Sequence, residues 1–334
     1  MPVEIKSPTG AAHARILGVG GYRPSRVVTN EQICQVIDST DEWIVSRTGI
    51  KERRWAAAEE TVAVMSLGAA GKALAAAGVD AEQIGLVIIS TVTHLAQTPS
   101  LAAMVASELG ALHAAAFDIS AACAGFCHGL ALAQDAVRGG SAEYVLVIGV
   151  ERLSDLTDMN DRSTAFIFGD GAGAAVVGPS ETPAIGPVVW GADGAQYEAI
   201  GQTFDWDVLR EQPEMGFPAL RMNGQQVFRW ASYQMVPVAK QALEKAGIDA
   251  EDLDAFIPHQ ANMRITDAMI KALKLPEHVP VARDIARTGN TSAASIPLAM
   301  ERMLEEGEAP HGGVALLIGF GAGLVYAAQV VVLP

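Results

Sequence analysis

Cysteine is scarce in this sequence: three in 334 residues, Cys34, Cys123 and Cys127. They build no disulfide framework and no C-x-x-C metal pair. Positive charge is short as well, 23 Lys and Arg against 38 Asp and Glu, a net −15. That balance excludes general attraction to nucleic acid or to an anionic membrane surface. Charged residues of all kinds make up only 18%, below the roughly 25% of ordinary soluble domains. With half the residues hydrophobic and a mean hydropathy of +0.24, the chain predicts extensive burial, including at a subunit interface. Met1 to Ala14 lacks the apolar core of a signal peptide. The one long uncharged run, Val314 to Pro334, is broken by Gly319-Phe320-Gly321-Ala322-Gly323. It reads as two buried strands around a glycine turn, not as a membrane span. A soluble, cytoplasmic protein follows, with no nucleic-acid or membrane partner and, at roughly 150 residues per domain, two domains.

The stretch that organises the chain is Asp118-Ile119-Ser120-Ala121-Ala122-Cys123-Ala124-Gly125-Phe126-Cys127. A short apolar strand, Ala114–Ile119, enters it. A helix leaves it and stops at Gly139-Gly140. Ser120 is the expected N-cap, which puts Cys123 in the first helical turn, where free N–H groups and the helix dipole favour a thiolate. A buried core cysteine is the alternative for Cys123, and the expectation for Cys127 one turn on.

Around that stretch, strands alternate with helices. Arg15–Gly20 reads as a strand ending in glycines, Thr29–Ile37 as a helix, and Thr40 as the start of another. Thr61–Ala77 reads as an Ala-rich helix stopped by Gly78. Ile84–Thr91 is a strand apolar on both faces, and Thr98-Pro99-Ser100 leads into a helix to Leu109. Tyr144–Gly149 is a further strand. Thr164–Gly178, with its glycine-rich centre, reads as a hairpin closing the first half. The second half predicts helix Gln225–Ala246, strand Ala255–Ile257, helix Asn262–Leu275, strand Val279–Ala282 and a helix from the Asn290 turn to Leu304, before the last two strands. The halves resemble one another weakly, the strand and small-residue helix at Cys123 answering those at Asn290. Two facing halves would bring Cys123, Asn290 and the loop after Ile257 to one centre.

That loop is Ile257-Pro258-His259-Gln260-Ala261-Asn262-Met263-Arg264. A thiol nucleophile with a histidine and an asparagine suits acyl transfer: the sulfur attacks, and two donors hold a negative oxygen. Upstream, Trp43 and Arg47 stand one helical turn apart and could hold a flat base; a Trp packed under a solvated Arg accounts for the pair without a ligand.

The motifs Ala-Ala-Cys123-Ala-Gly-Phe, Pro-His259-Gln-Ala-Asn262-x-Arg264 and Gly-Asn290-Thr-Ser-Ala-Ala-Ser resemble the three active-site motifs of β-ketoacyl-acyl carrier protein synthase III. Asp-Glu-Trp43-Ile-Val-Ser-Arg47-Thr-Gly-Ile and Phe-Gly-Asp-Gly-Ala-Gly-Ala match the same family, and the similarity runs from about Ala14 to the end. The resemblance implies a thiolase-like α/β fold of two pseudo-symmetric halves, 1–178 and 179–334, in α-β-α-β-α layers. It implies that Cys123 takes an acyl group from acyl-CoA, the thioester oxygen resting on the N–H groups of Cys123 and Ala322. Malonyl-acyl carrier protein then loses CO₂ while His259 and Asn290 hold the enolate oxygen, and no cofactor or metal is needed. It places Trp43 and Arg162 about the CoA adenine, Arg47 at the CoA phosphates and Asn262 in the pantetheine tunnel. Phe320 walls the site, and Thr98, from the partner of a homodimer, sizes the primer pocket where acetyl-restricted relatives tend to carry Phe. Arg229, Arg264 and Lys271 form a basic patch for the acidic carrier protein, weakened by Asp267. Two departures stand out: Ser163 where many members have Gly, and Ala322 for a Gly that contributes only its N–H. The same chemistry priming an aromatic polyketide, a C–O- or C–N-forming acyltransferase, and a non-catalytic thiolase-fold partner are the other functions considered.

Overall fold

The computed structural model describes residue 3 and residues 5–334; Met1, Pro2 and Glu4, part of the stretch expected to hold no signal peptide, lie outside the described residues. The first half runs β1 (His13–Tyr22), α1 (Val62–Ala77), β2 (Ile84–Ser90), α2 (Leu101–Leu109), β3 (Ala115–Ile119), α3 (Gly125–Gly139), β4 (Tyr144–Arg152) and β5 (Asp170–Ser180). The second runs β6 (Val189–Ala192), α4 (Gly224–Ala246), β7 (Ala255–Pro258), α5 (Met263–Leu273), α6 (Ser295–Glu305), β8 (Val314–Gly321) and β9 (Val325–Val332). The first sheet has the order β1-β5-β4-β2-β3, with β2 parallel to β3 and β4 and antiparallel pairs beyond. The second, β7-β8-β9-β6, repeats it: β7 is parallel to β8, β8 and β9 are antiparallel, and Val281 bridges Phe256 in parallel where β3 lies in the first.

Side chains on a strand alternate between faces, and in both sheets each face is apolar. Ile88, Val147, Ile257 and Leu317 point to the middle of the molecule, where Phe126, Leu130, Ile296 and Met300 of α3 and α6 fill the space between the sheets. Their neighbours Val87, Ile89 and Leu146 face α1 and α2, with Met65 and Val105. Phe256, Leu316 and Ile318 face α4 and α5, with Met235 and Met269. The result is the expected five layers. The halves also interlock at two glycines of the middle strands. A Cβ on Gly149 would sit 2.2 Å from the Ala293 carbonyl oxygen, and one on Gly319 2.9 Å from Ala124 Cα.

Several expectations need correction. Thr164–Gly178 is no hairpin: β5 is one strand from Asp170, antiparallel to both β1 and β4, and Gly171 and Gly173 lie under α6, where a Cβ on Gly173 would meet Pro297 at 2.6 Å. β1 likewise runs through its glycines to Tyr22, because α1 packs directly on them. The helix expected at Thr29–Ile37 is one turn, Asn30–Ile33, and Val279–Ala282 is a single bridge. Arg26–Thr29 pairs with Glu52–Trp55, an antiparallel ribbon the sequence pattern did not reveal. The uncharged C-terminal run is β8 and β9 around a turn, and no described helix is long and apolar enough to cross a membrane.

Candidate active site

Ser120 does not cap the Cys123 helix. Between β3 and α3 lies a 3₁₀ turn, Ala122–Ala124, and α3 begins after it without a side-chain cap. Ala122 holds φ 45° to make the turn, a strain of the kind kept at functional sites. Ser292–Ala294 before α6 is the same turn, with Ser292 at φ 47°. The two turns meet at the centre, and Cys123, His259 and Asn290 line one cavity of about 570 Å³.

Each donor is fixed from behind. His259 is buried, and its backbone N–H bonds the Ile318 carbonyl at 2.8 Å. Its Nδ1 lies 2.7 Å from Ser295 Oγ, the first residue of α6. The Ser295 oxygen also accepts the Gln260 N–H at 3.4 Å; in the tautomer with the hydroxyl donating to Nδ1, the ring proton sits on Nε2, the nitrogen left for the cavity. Burial pushes the His259 pKa down to about 3, so the ring is a neutral donor. Gln260 pins the loop by donating to the Pro258 and Ala282 carbonyls and accepting from Ile285 N–H. Asn290 is clamped by its backbone: its N–H donates to Ile167 O at 2.9 Å and its carbonyl accepts from Gly169 N–H at 3.0 Å. Its Oδ1 takes the Ser292 N–H at 2.8 Å, which leaves Nδ2 as the donor for a ligand.

Cys123 is only partly buried as a residue, yet protein surrounds its sulfur closely enough for desolvation to dominate. Burial pushes the thiol up to about 12, the hydrogen bond of Ser292 opposing and the charge of Glu151 adding to the rise. The helix start therefore does not by itself hold a resting thiolate, contrary to the sequence-based expectation. Gly321, at the end of β8, lies against the sulfur: a Cβ there would be 2.8 Å from Cys123 N and 3.0 Å from Sγ. The Gly321–Ala322 peptide thus runs beside the nucleophile. Cys127, on α3, is core.

The mouth of the cavity carries Trp43 and Arg47 from the helix Asp41–Thr48. The Arg47 and Arg162 guanidinium carbons lie 5.9 and 5.8 Å from the Trp43 ring centroid, and Phe166 meets the ring edge-on at 5.6 Å. Ser163 sits on the same wall with its hydroxyl on Asp161 at 2.6 Å. Asn262 lines the cavity but is also the N-cap of α5, accepting from Arg264 N–H and donating to the Arg47 carbonyl at 3.1 Å. Phe320 is buried against His259, ring centroids 5.3 Å apart.

Thr98 is not in this cavity. It is exposed and lines a second one with Phe117, Ser120, Ala122 and Ala322, on the other side of the Cys123 turn. Arg264 and Lys271 are exposed on α5, the Arg264 guanidinium 5.2 Å over the Phe228 ring at the cavity mouth. Arg229 is exposed on α4 in a separate depression with Gln225 and Tyr233, and Asp267 is paired with Arg283 at 2.8 Å. Sequence reasoning missed four supporting residues: Ser295 behind the histidine, Glu151 and Ser292 beside the thiol, and Arg53. Arg53 is a fully buried cation bonding the Val28 and Phe166 carbonyls and Asn30. A carboxylate following the apolar run Val145–Val150 at Glu151 was the one available signal.

A strained cysteine turn facing a histidine and an asparagine between two duplicated α/β halves defines a thiolase-fold condensing enzyme. Residues 117–194 match the family described as 3-oxoacyl-[acyl-carrier-protein] synthase III, and residues 243–333 match its C-terminal part. The chain is 64% identical to β-ketoacyl-[acyl-carrier-protein] synthase III 1 of Streptomyces coelicolor, over 99% of both chains. It is 65% identical, again over 99% of both, to the synthase III of Streptomyces glaucescens. Among solved structures it superposes on the priming β-ketosynthase of a polyketide biosynthetic pathway with TM-score 0.96, at 52% identity over 100% of this chain and 99% of that one. On the synthase III of Aquifex aeolicus the TM-score is 0.88, at 40% identity over 96% and 99%. The chain belongs to the β-ketoacyl-acyl carrier protein synthase III family, and it is an acyltransferase.

Proposed function

We propose that this enzyme condenses an acyl-CoA primer with malonyl-acyl carrier protein, releasing CO₂ and giving the 3-oxoacyl-carrier protein that opens fatty acid synthesis. The observation that carries it is the convergence of Cys123 from one half with His259 and Asn290 from the other on one cavity. Cys123 attacks the primer thioester, whose oxygen is held by the N–H groups of Cys123 and Ala322. The acyl-enzyme then meets malonyl-carrier protein. As CO₂ leaves, charge builds on the thioester oxygen, and His259 Nε2–H and Asn290 Nδ2–H donate to it; fixed donors in a dry site need no reorganisation as charge develops. The enolate carbon attacks the acyl-Cys123 carbonyl and the thiolate leaves.

Trp43, Arg162 and Arg47 take the CoA adenine and phosphates, and Asn262 flanks the pantetheine. Arg264 and Lys271, on one exposed face, meet the acidic carrier protein, with Arg229 beyond them. The edge strand β3, with Phe117, Leu95 and Leu112 exposed near it, supports a homodimer across that edge, which would carry Thr98 into the partner's acyl pocket. Free thiols throughout suit the reducing cytoplasm. Thr98 in place of a phenyl ring leaves room for C4–C5 or short branched primers, one methylene in such a pocket being worth about 10–200-fold in selectivity. The likeness to a polyketide-priming ketosynthase favours, as a second reading, the same chemistry at the head of a polyketide.

Whole-protein mass after mixing with a panel of acyl-CoAs tests the first half-reaction, and product identification after adding malonyl-carrier protein tests the second. An acyl adduct without any 3-oxo product would reject condensation. Competition between acetyl- and isobutyryl-CoA, repeated on Thr98→Phe, is expected to shift toward acetyl; an unchanged ratio rejects the primer assignment.

A further inference from the structure

Glu151, the penultimate residue of β4, has its side chain fully buried, and nothing in the condensation as written uses it. Its Oε2 accepts from Val92 N–H at 3.1 Å, Thr93 Oγ1 at 2.9 Å and Thr91 Oγ1 at 3.3 Å. Its Oε1 accepts from one group only, the Ser292 hydroxyl at 3.1 Å. Ser292 thus gives its hydrogen to Glu151, and its side chain lies beside the Cys123 thiol, whose rise in pKa it opposes. One oxygen of the carboxylate is saturated by donors, and the other has a lone pair free at the end of a path from the sulfur.

We infer that the proton of the Cys123 thiol passes through Ser292 to Glu151, and not to His259, when the thiol is acylated. As Sγ bonds the primer carbonyl carbon, the thiol proton moves to Ser292 Oγ and the Ser292 proton moves to Glu151 Oε1. The primer's C–S bond breaks and CoA leaves as a thiolate, protonated by water. In the condensation the Sγ–C bond breaks, and the departing thiolate recovers its proton from Glu151 by the same path. The ledger closes without an added acid or base. Burial holds the Glu151 carboxyl at about 7 and His259 at about 3, so of the two it is the carboxylate that is suited to accept a proton near neutral pH. The titratable groups facing the cluster are Cys123 and, across the cavity, His259. Arg152 turns away to Asp155 at 3.2 Å, and Asp170 on β5, opposite Arg152, is taken by Ser154 and the Ala56 N–H. The inference deepens the proposed condensation, resting on Cys123 as its nucleophile.

The test is alkylation of Cys123 by iodoacetamide between pH 6 and 9, followed by peptide mass. It needs no thioester and so stands or falls apart from the condensation. Wild type is expected to show a rise in rate centred near pH 7. Glu151→Gln and Ser292→Ala should both lose that limb and react at least 10-fold more slowly at pH 7.5, while His259→Ala keeps it. Were Glu151 only a negative charge opposing the thiolate, Glu151→Gln would react as fast as wild type or faster, and the relay would be overturned. Loss of the limb in His259→Ala would overturn it equally. Should Glu151→Gln fail to fold, Ser292→Ala, which leaves Glu151 its three other donors, decides alone.

Discussion

The two halves of this chain use one backbone for two tasks. Ala121 and Thr291, at φ −122° and −99°, lead into Ala122 and Ser292 at φ 45° and 47°, and the helices start at Gly125 and Ser295 with nearly the same αR angles. In that superposition Cys123 falls on Ala293. His259, the residue after β7, falls on Ser90, and Ser295 behind it falls on Gly125. A Cβ on Gly125 would lie 1.6 Å from Ser90 Oγ, so the first half keeps only a serine against a bare helix start where the second keeps a histidine bonded to a serine. Duplication thus supplied the geometry twice, and a few side chains set the halves apart: a cysteine at the turn of one, a histidine and an asparagine beside the turn of the other.

The sharpest way to break this comparison is to remove the nucleophile and rebuild it in the other half. Cys123→Ala is expected to lose acylation by acyl-CoA entirely. Adding Ala293→Cys should not restore it, because the Ala293 methyl lies toward Gly125, 3.8 Å from where a Cβ on that glycine would stand, and does not line the cavity. Whole-protein mass checks both, and an adduct on Cys127 or on the new cysteine would undo the division of labour. The donor half comes next. His259→Ala and Asn290→Ala are each expected to cut malonyl decarboxylation about 10²–10³-fold, the usual loss of one oxyanion donor, while self-acylation survives in part. An Asn290→Ala enzyme decarboxylating at the wild-type rate would return the C–O or C–N acyltransferase to consideration.

How far the sequence foresaw this differs between fold and site. The β-branched strands, the helix stops at Gly78 and Gly140 and the duplication were legible because they are local patterns. The three residues that meet in the cavity were legible because their neighbours are unusual: small residues about Cys123, Pro258 before His259, glycine before Asn290. Ser295, Glu151 and Arg53 were not, since each acts through a partner more than thirty residues away. The glycine-rich Thr164–Gly178 misled for a related reason. Gly171 and Gly173 answer to α6 packed above them, and local turn chemistry cannot show that.

The halves should also fail at opposite ends of the pH scale. Burial puts the folded His259 pKa near 3 against an ordinary 6.5. Above 6.5 the ring is neutral in both states and costs nothing; as pH falls toward 3 the unfolded chain binds a proton the folded ring refuses, and stability drops. Glu151 is the reverse, raised to about 7 from 4.5: its protonated form suits the fold below 4.5, and that advantage is lost as pH rises through 7. At about 1.4 kcal/mol per unit, each group destabilises by roughly 2–3 kcal/mol two units into its bad side. Denaturant unfolding at pH 4.5, 6 and 8 checks this. The two windows overlap with opposite signs between pH 4.5 and 6.5, so His259→Gln should remove the loss of stability that grows from pH 6.5 down toward 3 and Glu151→Gln the loss that grows from pH 4.5 up to 7; one variant removing both would show that the sites are not separate.

The smallest expected difference probes the interlock itself. Gly149 and Gly319 occupy matching places on β4 and β8, each beneath the other half's turn. Their clearances are unequal: an added Cβ meets the Ala293 carbonyl oxygen at 2.2 Å in one case, and Ala124 Cα at 2.9 Å and the Cys123 carbonyl oxygen at 3.1 Å in the other. Backbone cannot swing aside as a side-chain tip can, so both Gly→Ala changes should destabilise, by about 1–3 kcal/mol as overpacking does, with Gly149→Ala the worse. The consequences should differ in kind as well. Gly149→Ala presses on the turn that holds Ser292 and follows Asn290, so it should slow decarboxylation more than alkylation of Cys123. Gly319→Ala presses on Cys123, so the order should invert. Melting temperatures with both rates measured on each variant decide it; equal destabilisation with the same rate pattern would mean that the turns move as one rigid unit and the two halves cannot be perturbed separately.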